Sequence, residues 1–174
     1  NVISHLDSTT YYSSTRRWYG IYQYHYYGAG GNTLKIERND ITSTNSGRRY
    51  LYGLYIDSYR ATTAATLSAS NNAIKLMSKS TNSTAYVTGI HLRNGYTTGW
   101  KDYRIHGNKI EAHTNYYAYG INNDSYNLYG TDAFYFTSNL INVSADYYVY
   151  GIRDYCGYST RRARHFLNNT ISSI

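Results

Sequence analysis

Ten carboxylates, six histidines and one cysteine are the first groups in this chain to weigh for moving protons, holding a metal ion or acting as nucleophiles. The carboxylates are Asp7, Glu37, Asp40, Asp57, Asp102, Glu111, Asp124, Asp132, Asp146 and Asp154, with no adjacent pair and no clustered triad. Glycosidic cleavage needs two carboxyl groups held roughly 5 to 10 Å apart, so only residues that the fold brings together could perform it. His5, His25, His91, His106, His113 and His165 show neither HxH nor HExxH spacing, the kind of pattern on which zinc sites depend. There is no Gly-x-Ser-x-Gly elbow or phosphate-cradling glycine loop, and Gly28-Ala29-Gly30-Gly31 reads as a turn. Cys156 is alone and can form no internal disulfide. The expectation is a non-enzymatic chain with no catalytic residues, no metal and no cofactor.

Binding chemistry is better represented. Lys and Arg number 17 against 10 Asp and Glu, a formal charge of +7, and Arg16-Arg17, Arg48-Arg49 and Arg161-Arg162 come as doublets. Spread along the chain, they suit anionic glycans, cell-wall polymers or a neighbouring subunit better than nucleic acid, whose binders concentrate charge on one face. Tyrosine is the dominant aromatic, 25 residues against 3 Phe and 2 Trp. A ring that is apolar with a polar tip serves both subunit packing and glycan stacking. The pairs Tyr11-Tyr12, Tyr26-Tyr27, Tyr116-Tyr117 and Tyr147-Tyr148 are expected to send one ring inward and one outward along a strand. Sequons at Asn82, Asn123, Asn142 and Asn168 are candidate glycosylation sites.

An internal repeat must position these groups. A triplet of aromatic, glycine and aliphatic recurs as Tyr19-Gly20-Ile21, Tyr52-Gly53-Leu54, Tyr119-Gly120-Ile121 and Tyr150-Gly151-Ile152, with Thr88-Gly89-Ile90 as the variant copy. Alternating with it is Asn-x-Ile, at Asn1, Asn39, Asn72, Asn108, Asn139 and Asn169, spaced by 38, 33, 36, 31 and 30 residues. A fixed period in this range marks a solenoid in which each repeat is one coil. Scarcity of Ala, Leu, Glu, Lys and Gln against abundant Tyr, Thr, Ile and Asn predicts an all-β chain, and apolar residues at alternate positions before each Asn mark strands with one buried face. Equivalent asparagines, Asn39, Asn72, Asn108, Asn139 and Asn169, are expected at a bend, where they tolerate left-handed backbone and hydrogen-bond into a ladder. The glycine marks a bend or bulge, or a close backbone approach. Ile21, Leu54, Ile90, Ile121 and Ile152 should stack as a core column, with Tyr19, Tyr52, Tyr119 and Tyr150 as an aromatic column beside them. Extra residues are expected in loops at Thr42 to Arg49, Tyr59 to Thr63 and Tyr155 to Arg162.

Coils such as Leu34-Lys35-Ile36-Glu37-Arg38-Asn39-Asp40-Ile41 and Phe134-Tyr135-Phe136-Thr137-Ser138-Asn139-Leu140-Ile141 resemble the right-handed parallel β-helix repeats of pectin-lyase-like proteins. The resemblance covers nearly all of the 174 residues and implies a single-stranded right-handed parallel β-helix of about five coils, roughly 24 Å tall at strand spacing. Members of that family include polysaccharide lyases, glycosidases, phage tailspikes, adhesins and repetitive surface proteins. The acidic calcium set of its lyases and the grouped aspartates of its glycosidases map onto no residues of this chain.

The sequence thus reads as one β-solenoid domain over residues 1–174, either a segment of a longer repeat protein or a fibre subunit. No apolar run reaches the ~20 residues of a membrane-spanning helix. Asn1 and Asn169 stand in the same phase of the repeat with no capping helix visible, so the ends are expected to meet more chain or another copy. The expected role is structural: an extracellular or cell-surface filament, sheath or adhesin stalk, self-assembling head-to-tail or laterally through its uncapped ends and the Tyr/Arg surface. The rival role is a polysaccharide-binding or polysaccharide-cleaving module.

Overall fold

A computed structural model of the chain describes residues 1–6, 17–25, 33–46, 49–58, 66–94, 102–125, 133–156 and 163–173. Among them the strands, in chain order, are β1 (Val2–Leu6), β2 (Arg17–His25), β3 (Thr33–Glu37), β4 (Asp40–Ser46), β5 (Tyr50–Ser58), β6 (Thr66–Ser70), β7 (Ala73–Ser78), β8 (Tyr86–Asn94), β9 (Asp102–His106), β10 (Lys109–His113), β11 (Tyr117–Ser125), β12 (Ala133–Thr137), β13 (Leu140–Ser144), β14 (Tyr148–Cys156), β15 (Ala163–Leu167) and β16 (Thr170–Ser173). Every third strand pairs with the next in parallel. Sheet A runs β1-β4-β7-β10-β13-β16, sheet B runs β2-β5-β8-β11-β14 and sheet C runs β3-β6-β9-β12-β15. The chain is therefore a parallel β-solenoid, and five circuits carry it from β1 to β16.

The inward faces are the columns that the repeat marks. Ile41, Ile74, Ile110 and Ile141 lie in register in sheet A, and all are buried. Ile21, Leu54, Ile90, Ile121 and Ile152 lie in register in sheet B, the middle three with no exposure. Sheet C contributes Leu67, Tyr103 and Phe134 in one column and Ala69, Ile105 and Phe136 in the next. Tyr103 is the tyrosine of this core; its ring lies on that of Phe134 at 4.3 Å. Burying each large apolar side chain is worth about 1.5 to 3 kcal/mol relative to exposure, so these four columns are a main source of the stability that holds the coils together.

Between sheets C and A the chain turns within two residues, and the second is always the ladder asparagine. The left-handed backbone does not fall on that asparagine. It falls one residue earlier, at Arg38, Asn71, Ser138 and Asn168 (φ 55°) and at Gly107 (φ 63°). The asparagine side chain instead carries the ladder. Asn39, Asn72, Asn108 and Asn139 each donate from Nδ2 to Oδ1 of the next asparagine at 2.9 to 3.0 Å. Their backbone N–H groups donate to the same oxygens at 3.0 to 3.1 Å. From Asn72 onward the second amide hydrogen reaches the carbonyl of Ile36, Ala69, Ile105 or Phe136. Asn1 starts the ladder by donating to Asn39 at 3.1 Å.

The glycine serves close approach and a phase change together. A Cβ on Gly53 would stand 2.5 Å from Ile74 Cγ2 and 2.6 Å from the carbonyl oxygen of Gly89. Sheet B therefore meets the isoleucine column of sheet A with backbone alone. In β5, Leu51, Leu54, Ile56 and Ser58 are buried while Tyr52 and Tyr55, three residues apart, touch ring to ring at 5.0 Å. Alternation slips by one residue at Gly53-Leu54, which bends the strand around the core.

Two loop expectations are revised. Thr42 to Ser46 belong to β4, where the register moves from Ser43↔Leu76 to Ser46↔Ser78, so one extra residue is absorbed in a bulge. Tyr155 and Cys156 belong to β14, which outlasts the expected loop start because all eight of its paired positions match β11. Tyr59 to Thr63 lie outside the described residues.

Candidate functional site

Parallel strands in register place equivalent residues about 4.8 Å apart, close to the spacing at which aromatic rings stack. On the outer face of sheet B this turns a repeated tyrosine into a wall. One column is Arg17, Tyr50, Tyr86, Tyr117 and Tyr148, and the next is Tyr19, Tyr52, Thr88, Tyr119 and Tyr150. Beyond the bend follow Tyr22, Tyr55, His91, Asn122 and Arg153, then Tyr24, Asp57, Arg93, Asp124 and Tyr155. Tyr86 and Tyr117 stack at 4.6 Å, Tyr117 and Tyr148 at 5.3 Å, Tyr19 and Tyr52 at 5.3 Å, and Tyr119 and Tyr150 at 5.2 Å. Stacking covers the ring faces inside the wall. Burial consequently pushes the Tyr119 phenol up to about 12 and the Tyr52 phenol further still.

The third coil interrupts the wall with Thr88, His91 and Arg93. His91 is buried, stacks on Tyr55 at 4.7 Å and meets the Asn122 amide through Nδ1 at 3.1 Å. Burial, with Arg93, Arg153 and Arg17 adding repulsion, pulls its imidazole down to about 3, so it is neutral near pH 7. Arg93 holds Asp57 at 3.3 Å and Arg153 donates to Asn122 Oδ1 at 3.1 Å. Burial raises the Asp57 carboxyl, and Arg93 opposes that shift.

The expected tyrosine column is thus brought together, except for Thr88 at its centre. Arg17 heads the neighbouring column, with a hydrogen bond to Tyr19 that raises its pKa, and lies 5.7 Å from the Tyr50 ring. Arg49 lies 4.9 Å from the same ring and donates to the Thr84 carbonyl at 3.3 Å. Arg16, Arg48, Arg161 and Arg162 lie outside the described residues, as do Tyr11-Tyr12 and Tyr26-Tyr27. The inward-outward expectation fails for the other two pairs: Tyr116 and Tyr117 are both half-buried, and Tyr147 and Tyr148 are both exposed. Tyr116 and Tyr147 sit in bends before their strands, where strand alternation does not apply.

Asp57 and Asp124 share a column but stand two strands apart with Arg93 between them. Asp154 pairs instead with Asn123, whose Nδ2 donates to it at 2.6 Å, and forms an ion pair with Arg164. Among the described residues no group of three His, Cys, Asp or Glu could hold a metal. Of the sequons, Asn82 is half-exposed in a turn, its Oδ1 accepting from the Thr84 hydroxyl at 2.6 Å. Asn142 is half-buried, and Asn168 is exposed at a left-handed position. Asn123 is fully buried and committed to Asp154, which removes it as a glycan acceptor in the folded chain.

Sequence reasoning passed over His91, Arg93 and Arg153. Their signal was available: Tyr22, Tyr55, His91, Asn122 and Arg153 all stand two residues after the repeat glycine, and Tyr24, Asp57, Arg93, Asp124 and Tyr155 four after it. No protein-family model, curated protein or solved structure matches the chain.

Proposed function

We propose that this chain is a structural, non-enzymatic β-solenoid of an extracellular surface filament, sheath or adhesin stalk, associating laterally with its own kind through the outer face of sheet B. The right-handed coil of pectin-lyase-like proteins is the type its repeats fit best. One observation carries the reading: Tyr22, Tyr24, Tyr148, Tyr150 and Tyr155, each 38% to 50% exposed, share one face with Arg17, Arg93 and Arg153. Interfaces are enriched in tyrosine and arginine, the first a stiff ring with a polar tip and the second a planar group with five N–H donors. The exposed tyrosines form two clusters, Tyr22 and Tyr24 on β2 and Tyr148, Tyr150 and Tyr155 on β14, at the two edges of sheet B, and exposed aromatic surface is what subunit contacts cover. The test is light scattering with electron microscopy across a concentration series. Filaments or oligomers that the double substitution Tyr22→Ser, Tyr24→Ser weakens support the reading; a monomer at millimolar concentration without filaments overturns it.

A second reading, glycan binding, is favoured by the corner between sheets A and B. Two adjoining troughs of about 350 and 340 Å³ share Asn115 and Asp146, and one of them is lined by the Tyr116 and Tyr147 rings. Binding to a glycan array that disappears with Tyr147→Ala would favour it over self-association.

A further inference from the structure

The outward face of sheet C balances Lys35 and Arg104 against Glu37 and Asp102, with both cations in one column, which reads Lys35, Ser68, Arg104, Tyr135 and His165, beside a second of Glu37, Ser70, His106, Thr137 and Leu167. Serines between long side chains leave a depression, and here it is a trough of about 500 Å³ lined by Ser68, Ser70, Arg104, His106, Tyr135 and Thr137. No carboxylate is among those six residues.

Each donor around the trough has capacity to spare. Arg104 spends one Nη2 bond on Asp102 at 3.3 Å and lies 5.9 Å from the Tyr135 ring, which His165 backs at 4.7 Å. Its guanidinium keeps further N–H groups, since arginine carries five. His106 Nδ1 shares a 2.8 Å hydrogen bond with the Thr137 hydroxyl. When Thr137 donates in that bond, the ring proton sits on Nε2, at the outer end of the ring. Ser70 contributes to the floor: the residue is only 8% exposed and lines the trough, where its hydroxyl can donate.

We propose that this trough is a binding site for a tetrahedral oxoanion, sulfate or phosphate, free or esterified to a polymer, held over Ser70 by Arg104 and His106. The donors approach from two columns and from the floor, so they are not coplanar. A tetrahedral anion offers acceptors in all those directions, whereas a planar carboxylate meets only those in its own plane. Glu37 stands at the rim, 3.5 Å from the Ser68 hydroxyl, and its charge limits the affinity. The site lies on a different sheet from the aromatic wall and does not depend on self-association.

The experiment is a titration of the whole chain with inorganic sulfate, inorganic phosphate, acetate and chloride at constant ionic strength and fixed pH, following the His106 ring resonances by NMR. Sulfate and phosphate are expected to give a saturable shift. Arg104→Gln should weaken it at least tenfold and Ser70→Ala about threefold, while Glu37→Gln should tighten it two- to threefold, a gain that a damaged fold would not produce. Low-mass dextran sulfate acting at a lower sulfate-equivalent concentration than the free ion assigns the source to a polymer, and equal concentrations assign it to the free ion; both support the site. Equal shifts with chloride, equal affinity for acetate, or no effect of Arg104→Gln overturns it.

Discussion

Asn108 illustrates how much one side chain carries in this molecule. It is buried, donates to Asn139 and to the Ala69 carbonyl, and accepts from both nitrogens of Asn72. Removing it by Asn108→Ala strips partners from several buried groups at once, each worth about 1 to 3 kcal/mol when left unpaired. The expected loss is about 3 kcal/mol or more, read as a lowered urea midpoint. Asn108→Asp should be nearly as harmful, because a carboxylate cannot donate to Ala69 or Asn139. His91 makes a pH prediction. Its folded pKa of about 3 lies below its ordinary value of 6.5, so the folded state holds fewer protons than the unfolded chain between those values. Stability is then fully present above pH 6.5 and declines as pH falls toward 3, by up to about 1.4 kcal/mol per unit. His91→Phe keeps a ring against Tyr55 without a titrating nitrogen and should flatten that part of the stability profile, measured by thermal melts from pH 7 to 4.

At the scale of strands, the glycine is where sequence and structure meet most tightly. In β8 a Cβ on Gly89 would run into Ile110 Cγ2 and stand 2.6 Å from the Gly120 carbonyl oxygen. A carbonyl fixed in a parallel ladder has nowhere to go, so Gly89→Ala is expected to cost about 2 kcal/mol or more, visible in the same denaturation assay. Much of this architecture was legible beforehand. The Asn-x-Ile and Gly-aliphatic spacings located sheets A and B, and the core columns Ile21 to Ile152 stack as the repeat implied. What could not be read was the placement of left-handed backbone on Arg38, Asn71, Ser138 and Asn168, since nothing marks Arg or Ser for that conformation. Outward side chains were equally opaque. Tyr52 and Tyr55 lie on one face only because alternation slips at Gly53, and a slip of one residue inverts every later assignment. The polar break of Thr88, His91 and Arg93 therefore went unrecognised as part of the wall.

For the molecule as a whole, coil length varies mostly at one edge. From sheet C to sheet A the connection is always two residues, and from sheet B to sheet C it is seven residues four times and then six. From sheet A to sheet B it is ten, three, seven, three and three residues. The two-residue turn is locked by a left-handed residue and a ladder asparagine, whereas the A–B edge carries no such lock in every coil. A flexible peptide of eight residues inserted after Ser83 should therefore lower the melting temperature by only a few degrees, since loop entropy grows slowly with length. The same insertion between Arg38 and Asn39 should prevent folding; circular dichroism melts compare the two. That edge makes the solenoid a display rail, along which foreign epitopes could be mounted at intervals of one coil while the asparagine ladder between sheets C and A keeps the coils in register.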